Sequence, residues 1–307
     1  MRGKQGSRLK LVGETEAPSR TREIFCDVRH CLGLPAVPQL YQAYAAFPEF
    51  LELHWEAFRP AVRSQQFFAL AARLAAESYT RSHNYFEIRS LAQREAGTEM
   101  PTGLSLSQVL DYYQYLDPLL LLVAATQMQA FEEPIGQSTG SAEMASHARF
   151  PVAPCLLPDE QASPRLQRSW QERRRMLELA FISDEHRALA YWPAFYMDHW
   201  AVLKELLVSP VYADCQFRLA ESALEIAGEL PVRVETGLAQ LRDAGVGDEQ
   251  ALSVMRVNEV FVQGLTALLL DITFARIGYE GGTLREQAPP AAKAPLPSEA
   301  DSPFRAA

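Results

Sequence analysis

The segment ISDEHRALAYWP at residues 182–193 places a serine and an aspartate directly before an apolar stripe that runs to Pro193. Ser183 is a preferred N-cap residue, and an acid at Asp184 would favour the dipole of a helix that begins there. That account explains both residue types without any catalytic role. If the helix instead begins at an apolar crevice, burial would raise the pKa of Asp184, and its carboxylate could take a proton from a bound water.

Two further aspartates stand in or beside strongly apolar runs. Asp117 precedes Pro118 in YLDPLLLL, which indicates a cap for a helix that begins at the proline. Asp271 lies in the middle of LLLDITF, so a buried carboxylate there needs a partner such as Arg276 or a backbone N–H. We therefore interpret Asp271 as structural.

The sequence predicts neither a metal site nor a cofactor. Its six histidines form no HExxH or HxH motif, and its four cysteines form no CxxC pair. A glycine-rich phosphate loop and a GxSxG motif are also absent from the sequence. Reduced, structural cysteines in a cytosolic protein are the simpler interpretation.

The composition limits the partners that we expect. The 307 residues carry a formal net charge of −9, and the sequence pI is near 5.3. Nucleic acids and anionic membranes bind clustered Lys and Arg, so neither is an expected partner. The polar start MRGKQGSRLK has no apolar signal segment, and the longest apolar run, at 119–125, is too short to span a membrane. We expect a cytoplasmic protein.

The spacing of the apolar residues predicts an all-α fold. Apolar side chains recur three and four residues apart in two blocks, and the sequence lacks hairpin signals and sustained alternation. The predicted organisation is a flexible N-terminus, a first helical repeat, a Pro-rich linker, a second helical repeat and a disordered Pro- and Ala-rich tail. These parts are residues 1–20, 21–131, 132–165, 166–282 and 283–307.

The two helical blocks are related to each other. At a shift of 145 residues, AAFPEFLELHWEAFRPAVRS at 45–64 lies on AYWPAFYMDHWAVLKELLVS at 190–209 without a gap. The pair His54–Trp55 falls on His199–Trp200, and we prefer a packing contact common to both halves over a metal or base role for these histidines. The duplication predicts two tandem repeats that form an intrachain pseudo-dimer, with a crevice between the halves as a favoured ligand site.

In a duplicated chain, only one copy of each position needs to hold the chemistry. Asp184 falls on Gln39 of the first half, and Ser183 falls on Pro38. Asp184 is therefore not part of the duplicated scaffold, which makes it a candidate for function.

In order and spacing, four segments resemble the group I 2-haloacid dehalogenases, an all-helical family that acts on both D- and L-2-haloacids. The segments are DVRHCLGLPAVPQLYQAYAAFPEFLELHW, YLDPLLLLVAA, SDEHRALAYWP and LLLDIT, and the resemblance covers roughly residues 22–282. The family fold is a helical pseudo-dimer within one chain, which often assembles further into a homodimer. The resemblance therefore implies a homodimer here, with a small carboxylic acid substrate and water as the other partners.

The resemblance also implies a mechanism. In the family, an aspartate that follows a serine activates a water, which attacks C2 of the substrate directly, expels halide and inverts the configuration. That setting matches Ser183 and Asp184. The implied activity is the hydrolysis of 2-haloalkanoic acids to 2-hydroxy acids, with Asp184 as general base and backbone N–H groups holding the substrate carboxylate.

Several positions of the implied pocket depart from the family. Asp117 stands where the family has an asparagine that helps to hold the water, and it could share a proton with Asp184 if the two lie close. Ala36 and Gln39 stand where the family has a Trp and a Phe, and Leu265 stands where it has a Tyr. The alternative function is therefore a homologue that binds or hydrolyses a different small carboxylic acid. A helical scaffold without a small-molecule site is a third interpretation.

Overall fold

The structure, a computed structural model, describes residues 9–91, 100–137 and 150–283, and every regular element within these residues is a helix. The first five helices are α1 (Ser19–Leu32), α2 (Gln39–Tyr44), α3 (Pro48–Val62), α4 (Gln65–Tyr85) and α5 (Leu106–Ala130). A 3-10 turn at Asp159–Gln161 comes before the remaining six. These are α6 (Pro164–Met176), α7 (Asp184–Leu189), α8 (Pro193–Leu207), α9 (Pro210–Ala227), α10 (Leu238–Asp243) and α11 (Asp248–Tyr279). The predicted all-α class is confirmed.

Helices α5 and α11 form the centre of the molecule and pack extensively against each other. Both are apolar around most of their circumference, as expected for helices that are covered on all sides. Helix α11 is long and apolar enough to cross a membrane, with a mean hydropathy of 1.6, but 78% of that apolar window is buried inside the protein. Its composition is therefore that of a central core helix.

Helix α5 begins at a capping box, in which the Ser105 hydroxyl accepts the Gln108 N–H and the Gln108 side chain accepts the Ser105 N–H. The helix then continues through Pro118. The prediction that Asp117 caps a helix beginning at this proline was therefore wrong. Pro118 removes one backbone donor, and the burial of the apolar residues on both sides of it favours continuation of the helix.

Two predicted boundaries differ from the structure. Residues 9–18, predicted to be flexible, lie against the core, and the Val12 N–H donates to the Gln42 carbonyl at 3.0 Å. Helix α6 begins inside the predicted linker, because Ser163 caps it and a proline suits the first helical position. Within the predicted linker and tail, residues 138–149 and 284–307 lie outside the described residues.

Candidate active site

An apolar cavity lies where α2, α5, α7 and α11 meet. Its volume is about 590 Å³, including the opening to solvent. Most of the lining is aliphatic or aromatic, with Leu40, Leu116, Leu120, Phe261, Leu265 and Leu268 among the residues that form it. Three carboxyl groups also line the cavity, namely those of Asp117, Asp184 and Glu185. Among the described residues, no Lys, Arg or His lines it.

The cavity brings together five of the six residues predicted for the site. These are Asp184, Asp117, Ser183, Gln39 and Leu265. Ala36 is half-buried and is not part of the lining. Ala36 lies three residues before α2, and the segment reaches the cavity only at Pro38. The assignment of Ala36 to the pocket is therefore corrected.

Asp184 is the first residue of α7. The hydroxyl of Ser183 accepts the His186 N–H at 3.3 Å, so this serine caps the helix. The amide of Gln39 donates to Asp184 Oδ1 at 2.8 Å and thereby fixes one oxygen of the carboxylate. Burial raises the pKa of Asp184 to about 6, and the charge of Arg187 opposes that shift only in part. A carboxylate with such a pKa is suited to accept a proton near neutral pH.

Asp117 lies beside Glu185. The sequence did not suggest a functional role for Glu185. Burial raises the pKa of both carboxyl groups well above their usual ranges, and the charge of Asp117 raises that of Glu185 further. The expected partner of Asp117 was Asp184, but its neighbouring carboxyl group is Glu185. Successive residues of a helix differ by about 100° in direction, so Asp184 and Glu185 leave α7 in different directions and reach different parts of the cavity lining.

A buried polar cluster lies behind the cavity. Arg173 Nη1 pairs with Asp271 Oδ2 at 3.3 Å, and the His199 Nε2 atom forms a short hydrogen bond to Asp271 Oδ1. Burial alone would raise the pKa of Asp271, but Arg173 and His199 hold it well below its usual range. The suggested partner Arg276 pairs with Asp111 instead, since a residue five positions along α11 projects from a different face.

Three residues near this cluster have the atoms of a metal site. The ligand atoms of Glu185, His186 and Asp271 lie within 4.8 Å of one another. The guanidinium of Arg173, however, lies 3.4 Å from His186 Nδ1 and 3.3 Å from Asp271 Oδ2. A fixed cation already balances the carboxylate there, and it would repel a metal ion. We therefore assign neither a metal nor a cofactor to these residues.

The paired histidines of the duplicated segment lie outside the cavity lining. His54 Nδ1 is 2.7 Å from Gln127 Oε1, and burial lowers the pKa of this histidine to about 4. Burial also lowers the pKa of His199. His54 lies against the rings of Tyr44 and Phe58, and His199 belongs to the buried cluster around Asp271. A role in the fold therefore accounts for both.

The fold and the cavity define an all-helical protein with a half-buried carboxylate of raised pKa in an apolar site, an arrangement suited to activating water. Residues 35–186 match the family model described as "Halocarboxylic acid dehydrogenase DehI". The chain is 24% identical over 275 residues to an (R)-2-haloacid dehalogenase of Pseudomonas putida. The aligned region covers 86% of this chain and 91% of that protein. The chain is also 20% identical over 229 residues to an (R)-2-haloacid dehalogenase of Rhizobium sp. (strain NHG3). That alignment covers 73% of this chain and 88% of that protein.

Solved structures agree with these sequence matches. The chain is similar to "The complex structure of D-2-haloacid dehalogenase with L-LA", with a TM-score of 0.80, 22% identity and coverage of 91% of this chain and 99% of that one. The chain is likewise similar to "The complex structure of D-2-haloacid dehalogenase mutant with D-2-CPA", with a TM-score of 0.80 and 22% identity. That match covers 89% of this chain and 97% of that one. The resemblance to halocarboxylic acid dehalogenases is confirmed, and these relatives indicate a hydrolase of carbon–halide bonds. They do not single out the group that acts on both enantiomers.

Proposed function

We propose that this protein hydrolyses the carbon–halogen bond of a 2-haloalkanoic acid and yields the 2-hydroxy acid and halide. The observation that supports this most strongly is the carboxylate of Asp184, which lies in an apolar cavity with its pKa raised to about 6 and one oxygen fixed by Gln39. The relatives named above act on substrates of this class.

In the proposed reaction, Asp184 acts as general base. With Oδ1 held by Gln39, the other carboxylate oxygen takes a proton from a water molecule as that water attacks C2. The new C–O bond forms on the side opposite the halogen, the halide leaves with the bonding electrons, and the configuration inverts. The protein forms no covalent intermediate, and the apolar lining limits the access of competing water.

Halide release from each enantiomer of 2-chloropropionate tests this proposal. Asp184→Asn keeps the shape of the side chain and removes the base, so we expect the rate to fall by about 10²–10⁴-fold. Asp198→Asn is the matched control, because Asp198 is outside the cavity lining and pairs at the surface with Arg89. Full activity of Asp184→Asn would exclude Asp184 as the base. Comparison of the two enantiomers shows whether the enzyme accepts both or only the D-acid.

The second candidate function is the binding or hydrolysis of a different small carboxylic acid. It is supported by Asp117, Gln39 and Leu265, which occupy the lining and differ from the family. Thermal unfolding in the presence of halogenated and non-halogenated carboxylic acids separates the two candidates, since a specific ligand raises the melting temperature by mass action. A shift confined to the halogenated acids would rule out this alternative.

We further propose that the two halves are tandem repeats related by a pseudo-two-fold axis. The helix starts support this, because α1, α2, α3 and α4 recur as α6, α7, α8 and α9 at a constant shift. Equivalent contacts support it as well. Trp55 Nε1 donates to Asp27 at 2.9 Å, and its counterpart Trp200 Nε1 donates to Glu172 at 2.9 Å. A homodimer is proposed on the resemblance alone, and light scattering would test it. A cytoplasmic location is proposed from the cysteine usage of the sequence.

A further inference from the structure

Two neighbouring carboxyl groups of the cavity have oxygens that no donor from the rest of the protein satisfies. Asp117 Oδ2 and both carboxyl oxygens of Glu185 are buried, and the polar contact they make is with each other. The two residues are 3% and 2% exposed, and both line the cavity. Proteins seldom leave buried polar atoms unpaired, because each such atom costs free energy. These oxygens are therefore placed to interact with a molecule that enters the cavity.

The cavity contains few groups that could hold an anion. A 2-haloalkanoic acid is ionised at neutral pH, yet no cationic side chain lines the cavity among the described residues. The amide of Gln39 is already engaged by Asp184. The remaining side-chain donors of the lining are the second N–H of Gln39, the hydroxyls of Tyr113 and Ser183, and any proton held by the carboxyl groups of Asp117 and Glu185.

The surroundings favour the protonated form of these two carboxyl groups. Burial raises the pKa of each well above its usual range. The hydrogen bond with Glu185 opposes this shift at Asp117 and the charge of Asp271 adds to it, while the charges of Asp117 and Asp271 both raise the pKa of Glu185 further. Arg173 lowers the pKa of Glu185, but its guanidinium is already paired with Asp271. The other titratable groups around the two carboxyls are Tyr112 and Tyr113 on α5, Asp184 on α7, Tyr196 on α8 and Tyr212 on α9.

We propose that the neighbouring carboxyl groups of Asp117 and Glu185, called the carboxyl pair below, retain a proton and donate it in a hydrogen bond to the carboxylate of the substrate. This inference rests on the proposed function for the class of ligand. The carboxyl pair binds and orients the substrate, and its proton is not consumed. The proton taken from water goes to Asp184, so the two acidic elements of the cavity have separate tasks.

A site of this kind binds its substrate with a characteristic dependence on pH. When the carboxyl pair loses its proton, it stops donating and adds a negative charge that repels the substrate. The affinity is therefore greatest at low pH and falls as the pH rises. For a single required proton, the dissociation constant increases by about tenfold per pH unit once the proton is lost. Above the pH at which the free carboxyl pair loses its proton, the protein takes up one proton when the substrate binds.

Equilibrium binding measures this without turnover. The full-length Asp184→Asn protein is titrated calorimetrically with 2-chloropropionate between pH 5 and 9, in buffers of different ionisation enthalpy. We expect weaker binding at higher pH and proton uptake in that range. In this background, Asp117→Asn with Glu185→Gln replaces the carboxyl pair by amides that donate at every pH. That variant should bind with an affinity that does not depend on pH.

Two results would overturn the inference. One is an affinity of the Asp184→Asn protein that stays constant across the range, with no proton uptake. The other is an unchanged pH dependence after the amide substitutions. Asp111→Asn, an exposed acid on the same helix as Asp117, is the control that should keep the original dependence. The proton-uptake measurement uses the native carboxyl pair, so it remains decisive if the amide variant fails to fold.

The two proposals fail in different ways. If the unaltered protein releases no halide while 2-chloropropionate binds with the expected dependence on pH, the proposed reaction is wrong and the role of the carboxyl pair stands. If halide is released while KM does not change with pH, the reaction stands and the role of the carboxyl pair is wrong.

Discussion

Gln39 donates a hydrogen bond of 2.8 Å to Asp184, the residue that lies 145 positions further along the chain. A second hydrogen bond, from Ser222 to Glu77 at 2.7 Å, joins residues at the same separation. Equivalent residues of two related halves can touch only where they lie close to the symmetry axis. Both contacts are therefore consistent with the proposed pseudo-two-fold axis, which would pass close to the candidate base.

The rate of hydrolysis should depend on the ionisation of Asp184. Its pKa is raised to about 6, and only the ionised form can accept a proton from water. We expect kcat/KM to fall by about tenfold per pH unit below that pKa. Initial rates of halide release between pH 4.5 and 8 test this. An acid limb with a midpoint near the ordinary pKa of an aspartate would contradict the assignment.

Gln39→Leu should displace this acid limb toward higher pH. The amide of Gln39 stabilises the ionised form of Asp184, so its removal makes the carboxylate more basic and less well oriented. We expect a lower kcat, by about tenfold, together with the displaced pH profile. Gln66→Leu is the control, because Gln66 donates to the Glu229 carbonyl on an exposed surface. A loss of activity without any displacement would indicate only a change in cavity shape.

Asp271→Asn should destabilise the fold strongly. The substitution leaves the buried guanidinium of Arg173 without its carboxylate, which typically costs about 3–5 kcal/mol. Chemical denaturation at neutral pH measures the loss. Glu229→Gln breaks the exposed pair with Arg73 and should cost less than about 1 kcal/mol. Equal effects of the two substitutions would mean that the buried cluster does not carry the expected energy.

The ionisation of Asp271 should make the free energy of unfolding depend on pH. The pKa of Asp271 is lower in the folded protein than in the unfolded chain. Its contribution is therefore fully present above the unfolded pKa and is lost as the pH falls toward the folded one. Denaturation curves at decreasing acidic pH should show this loss in the unaltered protein and a smaller loss in Asp271→Asn.

Trp55→Phe and Trp200→Phe should have similar effects on stability. Each removes one indole hydrogen bond to a carboxylate, on Asp27 or Glu172, and a bond to a charged acceptor contributes about 1.5–3 kcal/mol. Urea unfolding of the two variants gives both values. A large loss in only one variant would show that the two contacts are not energetically equivalent, although the sequence places them at matching positions.

Much of the fold could be predicted because its signals are local. The helical periodicity, the cap at Ser183 and the matching His–Trp pairs are all visible within short segments. The crossing of Pro118 by α5 was not predicted, because the cost of a proline inside a helix is offset by burial that depends on the whole core. Propensity alone therefore placed that helix start incorrectly.

The candidate site was predictable only in part, for a related reason. Asp184 could be singled out because its counterpart is Gln39, and the structure places the two together. The partner of Asp271 is Arg173, almost a hundred residues away, and no local pattern joins them. Glu185 was missed because an acid in the first turn of a helix is ordinarily explained by the dipole, whereas this one is 2% exposed.

Under the proposed pseudo-two-fold relation, the contact between Gln39 and Asp184 illustrates what covalent fusion of two related halves makes possible. An assembly of two identical first halves would set glutamine against glutamine at this point, and two identical second halves would set one aspartate against another. Two facing carboxylates would repel, and one would have to be neutralised. A single chain can instead place a donor on one side and an acceptor on the other. Broken symmetry at one position thus provides an oriented carboxylate that a strictly symmetric assembly has no means to build.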